Sequence, residues 1–560
     1  MTRLFSTAST LALLGTLLYM STVRNQFVLD DETAVRDNPV VHRFDTVEIF
    51  TSDYWSGYHG DRAGLYRPLT VLTFAANYAV GGRDPFSYHL LNAILHGLVV
   101  LLVFRVIARA TGEHRVAALG ALIFATHPVQ TEAVAGVVGR ADLLATLFGL
   151  LATELQIRSQ NRFSWGAGLA FVAALLCKES AIVVPALILL FNCQQYRAFF
   201  HRCHVEVCLR YGALTAVYLA WRWHILGDLM IPGISELDNP LVGLEPELRL
   251  LNASLGMARY LSLLVLPIGL SADYSLSALE LELNLWSRTT LWMIAAVAAL
   301  VGLGYLSWRR LPWFFVGGAW TAIALVPVSN LLVPIGAMMG ERFLYMPTFG
   351  FSMAVAAVLR ASSKRISPQV FGAVVLCYLF AFSVLTVART QEWRNNLTLF
   401  LTATERYPSS ARSWRAVGGA KLEQGDRRGA QEAWHRALEI YPNYYEVFND
   451  LGGYYIEIAQ YTDAVAVLKS CLRLSSTYPP AWFNLGVAEY KRRNYDTALG
   501  FLRNAVELKP TYAAAHYNMG VILLETRKLQ QARRHFERAL EADPDFERAR
   551  ENLRILDRGS

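Results

Sequence analysis

Acids and bases recur in this sequence where apolar runs give way to polar residues. "NQFVLDDETAV" puts Asp30 and Asp31 just beyond the first apolar run, "YRPL" holds Arg67, and "FATHPVQTEAVAGVVGRAD" holds His127, Glu132 and Arg140. "CKES" adds Lys178 and Glu179, and "GERFLYMP" adds Glu341 and Arg342. Carboxylates at the rim of a membrane are costly unless something uses them. Together these residue types can run a displacement: a carboxylate takes the proton of an attacking hydroxyl. Fixed Arg, Lys or His donors then steady a negatively charged leaving group. Asp30, Asp31 and Glu132 are the candidate acids; Arg67, His127, Arg140, Lys178 and Arg342 are the candidate donors. Each also has a structural alternative. The acidic turn could be a solvated loop, Lys178–Glu179 and Glu341–Arg342 helix-end ion pairs, Arg67 an interfacial anchor, and His127, before Pro128, a helix cap.

The elements that carry these groups follow from composition. Of 560 residues, 54% are hydrophobic and 17% charged, too apolar for an ordinary soluble chain. The net charge of +7 needs no nucleic acid, because much of the Lys and Arg lies between apolar runs, where membrane topology requires it. The cysteines form no CxxC pair and suggest free thiols rather than a zinc site or disulfide framework. The start, "MTRLFSTASTLALLGTLLYMST", predicts an uncleaved first membrane helix. Further apolar runs cover 89–109, 116–129, 142–157, 164–177, 179–195, 207–226, 250–268, 289–307, 313–329, 344–360 and 369–388. Several are short of the roughly 20 residues that span a bilayer.

The basic clusters Arg105/Arg109/Arg115, Arg158/Arg162, Arg197/Arg202/Arg210, Arg309/Arg310 and Arg360/Lys364/Arg365 share the cytoplasmic side with Arg3 if 250–268 does not cross. That run carries Arg259 and Pro267 and is expected to be re-entrant or interfacial. About eleven crossings then remain, with the N-terminus cytoplasmic and the C-terminal part extracytoplasmic, in a bacterial periplasm or an ER lumen. The acid- and base-bearing loops all fall on the outer face, including a long first external loop over 24–88. "NAS" at Asn252 and "NLT" at Asn396 match the N-glycosylation triplet.

The last part of the chain repeats every 34 residues. Gly418, Gly452, Gly486 and Gly520 keep the step, as do Ala430, Ala464, Ala498 and Ala532, and Trp434, Leu468, Leu502 and Phe536. This is the tetratricopeptide pattern, with Pro442, Ser476, Pro510 and Pro544 at the repeat ends. The expected architecture is all-α: a polytopic membrane domain over 1–390, a linker over 391–410, four repeats over 411–546, and a capping helix and tail over 547–560. Such arrays hold an extended peptide or partner protein. Asn449, Asn484 and Asn518, on the first helices of the last three repeats, could line an acceptor-peptide groove or bond within the array.

In chain order, "FVLDDETAVRDNP", "YRPLTVLTFAANYAVGGRDPFSYHLLNAILH", "FATHPVQTEAVAGVVGRADLLA", "CKESAIVVPALILL", "RYLSLLVLPIGLSADYS" and "GERFLYMPTFGF", followed by the repeats, resemble the transmembrane-and-tetratricopeptide-repeat-containing O-mannosyltransferases. The resemblance implies a GT-C-like glycosyltransferase membrane domain and a polyprenyl- or dolichyl-phosphate sugar as co-substrate, with mannose the leading sugar. It implies Ser or Thr hydroxyls of secreted or membrane proteins as acceptors. By motif, the acidic pair supplies the base, Asp30 ahead of Asp31, for a single displacement with inversion. Arg342, Lys178, Arg140, His127 and Arg67 are candidates to hold the donor phosphate, and Glu132, Glu179 and Glu341 to orient the acceptor or a divalent metal. Two other functions compete: a non-enzymatic membrane-anchored repeat scaffold, and a lipid-linked sugar transporter. A scaffold needs only one helix, and a transporter places ionisable groups near the bilayer midplane.

Overall fold

The computed structural model describes residues 2–55, 64–159, 162–196, 202–228 and 233–558. Arg197 of the topology argument, and part of the 24–88 loop, lie outside that range. The chain divides into two compact units, Met1–Ser410 and Ala411–Ser560, and the described regular structure is helical throughout.

In the first unit, four helices are long and apolar enough to cross a membrane: Ser6–Arg24, Phe86–Thr111, Arg288–Arg310 and Pro368–Glu392. The pair Pro128–Ala135 and Val137–Arg158, bent by 103°, makes a fifth if it counts as one span. The expected eleven is therefore not reached by length and composition among the described residues. The apolar runs do form helices, but His114–Thr126, Trp165–Cys177, Glu179–Gln194 and Pro312–Val328 stay short. They break where the sequence sets polar motifs: His127-Pro128 ends one, and Lys178 stands between two others. At the bend, Gly136 is extended, and the Asn92 side chain donates to the freed carbonyl of Gly136 at 3.0 Å. Backbone leaves a helix at such depth only where something else satisfies it.

The run expected to be re-entrant or interfacial is one continuous helix, Pro246–Val265, with no reversal inside it. Its Leu251, Tyr260, Leu263 and Leu264 face a core shared with Leu325, Met338, Met339 and Leu344, while Leu250 and Val265 are exposed. Asn252 is buried, and its amide is spent on the carbonyls of Leu248 and Glu282, both at 2.8 Å. The first glycosylation triplet is thus closed off. The helices Pro312–Leu325 and Pro347–Ser362 cross at Gly317 and Gly350, where a Cβ on either would collide with the other's carbonyl oxygen. Small residues let membrane helices approach this closely.

The described part of 24–88 folds around a core of Phe27, Val35, Val41, Ile49, Tyr54, Phe74 and Tyr88. Its short helices are capped by Asn38, which accepts the Val40 N–H, and by Asp45, which accepts those of Val47 and Glu48. The segment expected as a linker is not one. Asn396–Arg406 is a helix of the first unit, tied down by Arg406 to Glu392 at 2.6 Å and by Tyr407 to the Gly269 carbonyl at 3.1 Å.

The second unit is four antiparallel helix pairs, Ala411–Glu423 with Arg427–Ile440, Tyr445–Glu457 with Tyr461–Leu474, Pro479–Lys491 with Tyr495–Leu508, and Ala513–Glu525 with Leu529–Ala542. Glu547–Arg558 follows as a further helix. The two periodic series seen in the sequence meet here: Gly452 packs on Leu468, Gly486 on Leu502, Gly520 on Phe536, and Gly418 on Trp434. A Cβ at Gly452 would come within 2.5 Å of Leu468, so only glycine lets the paired helices close.

Candidate active site

The acidic turn is fixed from both ends. As the chain leaves the first helix, the Gln26 N–H donates to the Arg394 carbonyl at 2.9 Å, and the Leu29 N–H to Asn396 Oδ1 at 2.9 Å. Asp31 is buried and accepts the Val138 N–H at 2.8 Å and the Val28 N–H at 3.3 Å. Burial pushes its carboxyl up to about 7, against the pull of those amides. Asp30 turns the other way. Its side chain is 29% exposed and lies 3.4 Å from Arg342, itself 26% exposed.

Arg342 is the hub of the site. Besides Asp30 it faces Glu132 at 3.6 Å, and Glu132 also accepts the backbone N–H groups of Glu341, at 2.7 Å, and Arg342, at 3.1 Å. Burial works against the guanidinium charge, but Glu132 and Asp30 outweigh it and hold Arg342 above its ordinary value. Phe343 lies between two cations: its ring centre is 5.7 Å from Arg342 and 5.0 Å from Lys178 Nζ. Lys178 reaches both Asp142 oxygens at 2.6 Å. Burial, with the charges of Arg67 and Arg342 nearby, pulls its ammonium below the usual lysine value despite Asp142. Arg67 grips Glu179 with two bonds, at 3.0 and 2.5 Å, and covers the Tyr54 ring at 5.3 Å.

Several expectations need correction. Lys178 does not pair with Glu179, nor Glu341 with Arg342; each takes a distant partner, because adjacent side chains leave the extended-to-helix junction in different directions. Glu341 is fully buried, bonded to Arg389 at 3.1 Å and to Tyr274 Oη at 2.8 Å, and has no opening to an acceptor. Glu179 is likewise committed to Arg67. Arg140 cannot hold a phosphate. It is fully buried and spends its donors on Asn92 Oδ1 at 2.9 Å, Asn77 Oδ1 at 2.6 Å, and the Thr73 and Tyr88 carbonyls at 3.1 Å. His127 is a cap: Nε2 donates to the Leu264 carbonyl at 2.8 Å while Nδ1 accepts the Val129 N–H, between the Phe351 and Phe382 rings. Among the described residues no three His, Cys, Asp or Glu side chains gather as a metal site, and Glu132 is occupied by two amides and Arg342.

Asp142 and Arg389 were not singled out from sequence, although each is a charge beside an apolar run and so demands a partner. In the array, Asn484 donates to Asn449 at 2.9 Å and Asn518 to its own helix at Ala514. The asparagines therefore bond within the array.

Comparison with known proteins accords with this division. The tetratricopeptide repeat family matches residues 418–479, 454–513 and 489–554. Protein O-mannosyl-transferase TMTC3 of Mus musculus is 28% identical over 435 residues, covering 70% of this chain and 46% of the relative. Protein O-mannosyl-transferase Tmtc3 of Drosophila melanogaster is 29% identical, covering 75% and 54%. Protein O-mannosyl-transferase F38B6.6 of Caenorhabditis elegans is 26% identical, covering 75% and 61%. The chain spans about half the length of such relatives, and the matched share is more than the repeat unit alone can supply. Over both the apolar unit and the repeats, the chain is thus similar to the TMTC protein O-mannosyl-transferases.

Proposed function

We propose that the chain is a membrane glycosyltransferase that moves mannose from a polyprenyl- or dolichyl-phosphate donor to Ser or Thr hydroxyls of secretory-pathway or periplasmic proteins. The names of its relatives support the reaction class. The observation that carries it is the loose Asp30–Arg342 pair, partly open to solvent, beside Lys178 and Arg67 and at the ends of apolar helices.

In the proposed displacement, Asp30 accepts the proton of the acceptor hydroxyl as its oxygen bonds the anomeric carbon. The bond from that carbon to the phosphate oxygen breaks with inversion, and the phosphate leaves with both electrons. Arg342 and Lys178 take up the developing charge, with Arg67 adding to the positive field. Glu132 acts through Arg342, setting its backbone and guanidinium. The lipid tail lies among the short apolar helices, which complete the crossings of the membrane unit. The repeat array holds the acceptor chain. The last long apolar helix ends beside the Asp30 turn, at Thr390 and Arg394, which supports an extracytoplasmic array.

The test supplies the purified full chain, in lipid nanodiscs, with dolichyl-phosphate mannose and a Ser/Thr-rich peptide. Donor consumption with mannose on the peptide is expected, and Asp30→Asn should abolish it while leaving the chain folded and inserted. A folded, inserted chain that consumes neither dolichyl- nor bacterial polyprenyl-phosphate mannose overturns the proposal and leaves the scaffold in its place.

A further inference from the structure

We infer that Asn396, the first residue of the Asn396–Arg406 helix, is a positioning residue that sets the direction of the Asp30 carboxylate; this rests on the glycosyl-transfer reading above. Leu29 has φ 56°, a left-handed conformation that a branched, non-glycine residue avoids. Such strain persists only where the surroundings fix it, and it gathers at functional sites. Here the next residue is Asp30.

The turn is closed by its own backbone, with the Asp31 N–H donating to the Val28 carbonyl at 3.0 Å and the Glu32 N–H to the Leu29 carbonyl at 3.4 Å, and three further bonds hold it. Asn396 Oδ1 accepts the Leu29 N–H at 2.9 Å, the Gln26 N–H donates to the Arg394 carbonyl at 2.9 Å, and the Asp31 carboxylate accepts the Val28 N–H at 3.3 Å. Of these three only the first acts on Leu29, and it reaches that residue from outside the turn. Its acceptor stands on a helix that is capped by Asn395, which accepts the Thr398 N–H at 2.9 Å, and anchored through Arg406 to Glu392. The acceptor is therefore rigid. Without it Leu29 relaxes to negative φ, and that rotation swings the next side chain away from Arg342. The loose 3.4 Å contact between Asp30 and Arg342 has no bond of its own strong enough to prevent this.

The measurement is the kcat and donor KM of the full chain in nanodiscs with dolichyl-phosphate mannose and a Ser/Thr-rich peptide. Asn396→Ala should lower kcat about tenfold or more, with KM changed by less than about threefold, as expected when a reacting group is misplaced. Asn396→Asp keeps the acceptor and should retain more activity. Its added negative charge should move the acid limb of the pH profile upward. Leu29→Gly, which adopts the left-handed conformation without penalty, should raise the rate of Asn396→Ala at least about threefold. A structural asparagine would change the yield of folded protein but give neither the kcat-only effect nor the glycine rescue. Wild-type kcat in Asn396→Ala, or a double variant no faster than the single one, overturns the inference while the unmodified chain still transfers mannose. Failure of the unmodified chain to transfer strikes the reaction itself. Hydrogen exchange at the Leu29 amide, expected to be faster in Asn396→Ala, then decides the hydrogen bond separately, and unchanged exchange refutes it.

Discussion

The Asp31 carboxylate accepts the Val138 N–H at 2.8 Å across 107 positions of sequence, and this bond assigns different environments to two neighbouring aspartates. Asp31 becomes an internal acceptor, and Asp30 is left facing Arg342 and solvent. The pair therefore separates by substitution. Asp30→Asn should abolish transfer with little change in melting temperature. Asp31→Ala strands two buried amides and should remove about 1–3 kcal/mol of stability. Thermal unfolding in detergent, run beside the transfer assay, checks both.

Asp31 also carries a pH signature. Its folded value, about 7, lies above the ordinary 3.8, so the folded state holds a proton that the unfolded state has released. The stability this contributes is full below about pH 4 and is lost as the pH rises to about 7. Across that window the wild type should lose more stability with rising pH than Asp31→Asn does. Equal slopes in a pH series of denaturation would refute the shift.

Arg342 is the donor most open to a ligand. Arg342→Ala should cut kcat/KM for the lipid-phosphate donor roughly a hundredfold or more. Arg342→Lys should recover only part, because a point charge cannot face Asp30 and Glu132 together. Titration with donor lipid, with activity read in parallel, distinguishes lost binding from lost turnover.

Arg140 should behave oppositely. Arg140→Ala strips partners from Asn77, Asn92 and the Thr73 and Tyr88 carbonyls, and should cost about 3 kcal/mol or more of stability. Whatever folded protein remains should bind donor with unchanged affinity. Weakened donor binding in a fully stable Arg140 variant would contradict the structural role.

In the array, Gly452→Ala pushes a methyl into Leu468 and should destabilise the second repeat by about 1–3 kcal/mol. Leu468→Ala, added to it, should recover part of that loss by opening space. Hydrogen exchange of amides over 445–474 in the full chain reports both.

The repeats were legible because their determinants are local. Gly452 and Leu468 lie 16 positions apart, and their contact recurs in every pair. The charged loops were legible as a set, since charge beside an apolar run stands out. Their pairing was not: Lys178 with Asp142, Arg67 with Glu179, and Arg389 with Glu341 bridge 36, 112 and 48 positions, which neither periodicity nor adjacency encodes. Length and composition pass only four or five of the expected crossings for a related reason. Apolar runs such as 116–129 were read as whole spans, whereas His127-Pro128 and Gly136 redirect the chain within the apolar region. Arg140 illustrates the ambiguity of a lone cation: the same residue can meet a ligand or repair broken backbone, and only Asn92 beside it decides.

The Asp30 turn is completed by Arg342, 312 positions after Asp30, and by Asn396, 367 positions after Leu29. During synthesis Asp30 emerges among the earliest residues, but the partners that hold its turn emerge late. On the proposed reaction, a nascent chain threading through the insertion machinery carries an inert carboxylate, and termination before Asn396 should yield a product without donor consumption.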